Sequence, residues 1–153
     1  MQEYKGYYKS NVGWLEIICT KQGLIAINFV DEGLTTDSYA LVDEVIKQLD
    51  EYFNGKRKNF DLPLYFEGTK FQKEVWTELI NIPYGKTVSY KDIAIAIKHD
   101  KAVRAVGTTN SKNKIPIVIP CHRVIGHNGK LSGYAGGVWR KEKLLQNEEA
   151  AGI

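Results

Sequence analysis

Cys121 and His122 are the one place in this 153-residue chain where a thiol and an imidazole stand side by side. They close the stretch IPIVIPCHRVI, an apolar run bracketed by Pro116 and Pro120. Proline cannot donate a ladder hydrogen bond and tends to end a strand. IPIVIP is therefore expected as a buried strand, with the Cys121 thiol exposed on a turn at its end. A thiol with an ordinary pKa near about 8.5 is barely ionised at neutral pH, and a neighbouring base or cation makes it a nucleophile. His122 is the candidate base. Successive side chains of an extended strand point to opposite faces, so contact between the two requires turn geometry or one bridging water. A carboxylate would complete the relay by fixing the imidazole tautomer and stabilising its charged form. The C-terminal helical segment offers Glu142, Glu148 and Glu149.

Competing chemistries find less support. Cys19 lies inside an apolar run with no histidine or cation next to it, which reads as a buried, inert side chain. His99 and His127 read as surface loop residues. Two cysteines and three histidines show neither CxxC spacing nor a two-histidine helix motif, so no metal is expected and both thiols should be free. YGKT at 84–87 lacks the leading glycine spacing of a phosphate loop. No run of about 18 apolar residues is present, and MQEYKGYYKS has no apolar signal segment, so the expected location is cytoplasmic, away from membranes.

The net charge of +3 hides an asymmetry: residues 1–85 carry −4, residues 86–143 carry +9 and the last ten −2. The basic segment, which contains Cys121, has the charge of a nucleic-acid-binding surface on an otherwise mildly acidic chain.

The elements that must position these groups follow from pattern. YYKS, WLEIICT and LIAINFV, separated by glycines, read as three antiparallel strands. Residues 39–52 carry Leu41, Val42, Val45, Ile46 and Leu49 at helical spacing, giving an amphipathic helix that covers one face of that sheet. An irregular connection follows, with one extended run at Phe60 to Tyr65, and a domain boundary is placed there, dividing residues 1–60 from 61–153. Thr69 is a plausible N-cap for FQKEVWTELINI, and Ser89 with Asp92 forms an approximate capping box ahead of YKDIAIAIK. KAVRAVGTTNSK reads as a further short helix with Arg104 exposed, and the tight break before it makes the pair a helix-turn-helix candidate. VWRKEKLLQNEEA is a last helix.

PCHRV preceded by an isoleucine-rich run resembles the active-site signature of O6-alkylguanine-DNA alkyltransferases. The resemblance extends over roughly residues 60–149 through FQKEVW, IPYGKTVSYKDIA, AVRAVG, Asn113 to Cys121, GYAGG and KLLQNEE, in matching order and spacing. It implies an α+β protein: a small N-terminal antiparallel sheet with a helix, RNase H-like, then a mostly helical C-terminal domain with a winged-helix-like helix-turn-helix. The implied activity is DNA repair by irreversible, stoichiometric transfer of an alkyl group from O6-alkylguanine in double-stranded DNA to Cys121, without a cofactor. O4-alkylthymine is left open as a second substrate. The implied assembly is a monomer, with cooperative binding along DNA also left open.

Residue by residue, the resemblance assigns Cys121 as alkyl acceptor, His122 as base through water, Glu148 as the orienting carboxylate and Asn113 as the residue holding the turn. Tyr90 matches the tyrosine that turns the target nucleotide, and Arg104 the finger that replaces the everted base. Ala102, Ala105 and Gly107 are small residues allowing close approach to the minor groove. Tyr134 would wall the base pocket, the Cys121 and Val124 carbonyls would accept from the guanine amino group, and the Ala135 N–H beside Gly136 would meet guanine O6. Two positions depart from the family pattern. Ala135 stands where some members have serine, and Lys114 replaces a common proline. The N-terminal segment also lacks the zinc-binding cysteines and histidines of some relatives. Two rivals compete: a cysteine hydrolase, and a non-catalytic lesion binder, which would replace the cysteine present here.

Overall fold

The computed structural model describes residues 1–131 and 133–151 and resolves into two compact units, residues 1–66 and 67 onward. In the first, β1 (Tyr4–Ser10), β2 (Gly13–Thr20) and β3 (Gly23–Val30) form an antiparallel sheet in sequential order. Tyr8 pairs with Leu15 and Ile17 with Ile27, with a register shift at Ile18/Cys19. Alternation puts Leu15, Ile17 and Ile27 on the buried face. Helix α1 (Ala40–Phe53) contributes Val42, Val45 and Leu49 to the same core. Gly6 lets the helix approach β1, because a Cβ there would come within 2.4 Å of Val42 Cγ1.

Both sheet edges are covered. Along β1 the Lys5 N–H donates to Asp37 Oδ2 and the Tyr7 N–H to Thr36 Oγ1. Along β3 the Leu24 N–H donates to the Pro63 carbonyl, and Leu64 bridges Leu24 in parallel. Covered edges resist pairing with other chains. That bridge draws residues 61–66 into the first unit, so the division falls after Phe66 rather than at the expected 60/61.

In the second unit, α2 (Lys70–Ile80) and α3 (Tyr90–Ala96) start at complete capping boxes, Thr69 with Gln72 and Ser89 with Asp92. Helix α3 ends in a Schellman turn: the His99 N–H reaches the Ala94 carbonyl and the Lys98 N–H that of Ile95, with Lys98 at φ +63°. The chain then enters α4 (Val103–Ser111), which packs Val106 inward and exposes Arg104. Trp76 Nε1–H donates to the Thr109 carbonyl at 3.0 Å, tying α2 to the end of α4. The short strands β4 (Val88–Ser89) and β5 (Val124–Ile125) pair in parallel, and α5 (Val138–Ala151) closes the unit. No helix among the described residues is long and apolar enough to cross a membrane.

IPIVIP is not a strand. It is a series of tight turns, with the Val118 N–H on the Pro116 carbonyl, Ile119 on Ile115 and Cys121 on Ile119. Ile117 sits at φ +74°, a left-handed conformation that a β-branched residue adopts only under constraint. The constraint is Asn113. Its Nδ2 donates to the Ile119 carbonyl at 2.8 Å and its Oδ1 accepts from the Ile115 N–H at 3.0 Å, which folds the run back on itself.

Candidate active site

The turns deliver Cys121 to the first position of a 3-10 turn, Cys121–Arg123, that leads into β5. Cys121 is on a turn as expected, but its thiol is not exposed. The residue is 4% accessible and lies among buried neighbours in the chain, Ile119, Pro120 and His122. Burial pushes the thiol pKa up to about 11, opposed by a hydrogen bond from the Asn113 side chain and the positive charge of Lys141. The resting sulfur is a neutral thiol that needs a base.

The base and its carboxylate are built together. His122 Nε2 lies 2.6 Å from Glu148 Oε2, both fully or almost fully buried. Of the three carboxylates offered by the last helix, Glu148 alone faces inward, on the same side of α5 as Lys141 and Leu144. Burial lowers the His122 pKa against the opposing pull of Glu148, so the ring is neutral at pH 7. Burial alone would raise the Glu148 pKa, but hydrogen bonds and charge from His122 and Arg123 hold it well below the usual carboxylate range. An ionised Glu148 can only accept, so the imidazole proton is on Nε2. Nδ1 then carries the lone pair, and it has no hydrogen-bond partner among the described residues. The arrangement is a neutral base with its free nitrogen on the residue next to the thiol.

Arg123 was not singled out in the sequence, yet it anchors the carboxylate. Its Nε donates to Glu148 Oε1 at 2.8 Å, Nη2 to Oε2 at 3.0 Å and Nη1 to the Ile82 carbonyl at 2.7 Å. The Gly85 N–H adds a bond to Oε1 at 3.2 Å, from a backbone at φ +78° that favours glycine. Lys141 was also missed. It is fully buried, its pKa is pushed down to about 8 by burial, and Nζ is 3.5 Å from the Tyr90 hydroxyl. The available signal was a lysine three and seven residues before Leu144 and Glu148, on the inward face of α5.

Five of the expected DNA contacts line two open clefts that share Arg104. Tyr90, Arg104, Gly107 and Gly133 line one open cleft, and Arg104, Ala102 and Ala105 line a neighbouring one. Gly133, at φ +68°, lets the backbone close on Tyr90, where a Cβ would lie 3.2 Å from the hydroxyl. Tyr134 is 8% exposed, Gly136 and Val124 are buried and Ala135 is exposed. Arg140 Nη1 holds the Gly136 carbonyl at 2.8 Å.

A helix-turn-helix unit that buries a thiol next in sequence to an oriented imidazole defines a class: a DNA-binding protein whose own cysteine is the reactant. Residues 3–66 match the 6-O-methylguanine DNA methyltransferase ribonuclease-like domain and residues 70–150 the DNA binding domain of the same family, and the chain belongs to that family. A methylated-DNA--protein-cysteine methyltransferase of Methanosarcina barkeri is 57% identical over 106 residues, covering 69% of this chain and 67% of that one. One from Methanosarcina acetivorans is 43% identical over 154 residues, covering 95% and 97%. The crystal structure of Mycobacterium tuberculosis OGT in complex with DNA superposes with a TM-score of 0.85 at 39% identity, over 95% of this chain and 92% of that one.

Proposed function

We propose that this chain repairs DNA by direct reversal, moving the alkyl group of O6-alkylguanine in duplex DNA onto Cys121. The observation that carries this reading is the free Nδ1 of a neutral His122, locked by Glu148 and adjacent to a thiol that cannot ionise unaided. The Cys121 proton passes to Nδ1, directly or through one water, as the sulfur attacks the alkyl carbon. A carbon–sulfur bond forms, the carbon–O6 bond breaks, and its electron pair stays on the purine. Donors around O6 and the ring nitrogens neutralise that charge, the Ala135 N–H among them.

The sulfur of a residue only 4% exposed cannot reach a base inside the stack, so the nucleotide must turn out of the helix. Unstacking costs about a few kcal/mol, and Arg104, exposed on α4, offsets part of it by entering the gap. Tyr90 directs the nucleotide, Ala102, Ala105 and Gly107 admit the duplex, and Tyr134, Val124 and Gly136 frame the base. Asn113 holds the Cys121 turn. The product is a thioether, which offers water no carbonyl to attack, so each chain acts once, as a monomer.

Intact-protein mass spectrometry after incubation with an O6-methylguanine duplex tests this. One CH₂ increment per chain, on the peptide containing Cys121, is expected. Unmodified protein, or repeated turnover of an ester in place of alkylation, rejects the reading.

A further inference from the structure

Beyond Arg104, one side of α4 carries only short side chains. Arg104, Gly107, Thr108 and Ser111 line the open cleft that also holds Tyr90, and Arg104, Thr108 and Ser111 are exposed. Thr108 comes four residues after Arg104 and Ser111 seven, so both share its side of the helix, one and two turns further along. Their hydroxyl protons are already committed. Thr108 Oγ1 donates to the Arg104 carbonyl at 3.2 Å and Ser111 Oγ to the Thr108 carbonyl at 2.8 Å. The second bond helps to close the helix: the Lys112 N–H, which a continuing helix would aim at the Thr108 carbonyl, turns to Thr109 and Asn110, and the Ser111 hydroxyl takes its place. A hydroxyl has one proton and two lone pairs, so one that donates to its own helix offers the cleft acceptors alone.

Acceptors discriminate between base pairs in only one groove. In the major groove every pair shows a donor, the amino group of adenine or of cytosine. In the minor groove adenine N3 and thymine O2 both accept, and the single donor is the 2-amino group of guanine. Two acceptors at the floor of that groove meet a donor at a G·C pair and repulsion at an A·T pair. Short side chains suit the floor, because the groove is about 6 Å wide and only a slim face can approach it. We propose that Thr108 and Ser111 read the sequence beside the lesion: their oxygens accept the 2-amino group of guanine in the minor groove, so repair is faster where G·C pairs flank the alkylated base on one side. This rests on the alkyl-transfer reading, with Arg104 in the gap left by the everted nucleotide, and adds to it a preference of DNA context. With α4 following the groove, the two residues stand about 6 Å and about 10 Å from Arg104 along the helix axis, which corresponds to roughly the second and third pairs from the gap.

The test is single-turnover methyl transfer, below saturation, from O6-methylguanine duplexes whose three pairs on one side of the lesion, then on the other, are G·C, inosine·C, A·T or 2,6-diaminopurine·T. Inosine lacks only the 2-amino group of guanine, and diaminopurine adds that group to adenine. On one side of the lesion wild type should react about three- to tenfold faster with the duplexes that carry the group, G·C and diaminopurine·T. Weaker inosine·C pairing eases eversion and would speed transfer, so duplex stability pushes the opposite way. Thr108→Val combined with Ser111→Ala removes both acceptors, and the contrast should fall to within about twofold or reverse. The contrast is read within each variant, and the two single variants stand in should the double variant not fold. A wild type that reacts equally or faster without the amino group overturns the assignment, although alkyl transfer itself would then stand. So does a contrast equal on both sides of the lesion, or one that survives in the variants. A wild type that takes a methyl group from none of the duplexes overturns the transfer reading instead.

Discussion

The two units each bury one cysteine, and burial pushes both thiols up to about 11. Around Cys19, on β2, burial is the whole cause, and its setting is the apolar core of Leu15, Ile17, Leu24 and Val45. Around Cys121 burial is opposed by an asparagine hydrogen bond and a lysine charge, and the buried residues of its own unit include His122, Arg123 and Glu148. A raised pKa therefore does not separate an inert thiol from a reactive one. What separates them is whether the surroundings can take a proton away and stabilise the anion left behind.

The sharpest break of that comparison is a pair of substitutions. Cys121→Ala should abolish methyl uptake, while Cys19→Ala should leave one increment per chain and cost about 1–2 kcal/mol of stability through the cavity it opens. Mass spectrometry with a urea titration reads both. Methyl uptake by the Cys121→Ala chain would place the reaction elsewhere.

Next in size is Glu148→Gln. The variant leaves Arg123 buried without its counter-charge and His122 without a fixed tautomer, so about 3–5 kcal/mol of stability should go, with transfer slowed roughly a hundredfold. Acid probes the same cluster. The folded pKa of His122 lies below its ordinary 6.5, so the unfolded chain binds the proton more readily and stability falls as pH drops through 6.5. The folded pKa of Glu148 is also depressed, so its contribution is present above the ordinary 4.5 and lost as pH falls below it. Urea midpoints measured from pH 8 down to 3 should decline in wild type; in Glu148→Gln the fall below 6.5 should be at least as deep, because His122 loses the pull that raises its pKa, while the limb below 4.5 should flatten.

Lys141→Met should split stability from activity. Replacing a buried charge by an apolar side chain of similar length typically stabilises by about 1–4 kcal/mol, while loss of the cation beside Cys121 slows transfer by roughly tenfold. The folded pKa of Lys141 is near 8 against an ordinary 10.5, so between these values the unfolded wild type holds more protons and native stability rises with pH. The advantage of the variant should be full below pH 8 and fade toward 10.5. An advantage independent of pH would mean that the folded and unfolded chains hold the lysine proton equally well, so that burial does not penalise its charge.

The same contrast decides what could be read in advance. Periodicity and caps revealed the three strands, α1 and the starts of α2 and α3, because local pattern dictates those elements. Adjacency revealed Cys121 and His122, but among Glu142, Glu148 and Glu149 local pattern did not choose, and the family resemblance did. Arg123 and Lys141 stayed hidden, since a charged side chain becomes informative only when folding buries it. IPIVIP misled because β-branched composition signals a strand, whereas the partners that turn it, Asn113 above all, lie outside the run.

The smallest expected effect concerns the turn between α3 and α4, where local rules and function part company. Lys98 occupies the left-handed position of a Schellman turn, at φ +63°, which glycine normally fills. An L side chain there is strained, partly offset by the greater freedom glycine has when unfolded. Lys98→Gly should therefore stabilise the second unit by about 0.5–1 kcal/mol and leave transfer to free O6-benzylguanine unchanged. Lys98 is also exposed and belongs to the segment carrying the excess positive charge. If it meets the DNA backbone, the glycine variant should bind duplex more weakly at low salt, and the slope of affinity against salt should shrink by about one ion. A more stable chain with a weaker, less salt-dependent grip would show that the strained lysine is kept for its charge. A more stable chain with undiminished binding would mark the position as unoptimised backbone, and the basic surface would then begin at Lys101.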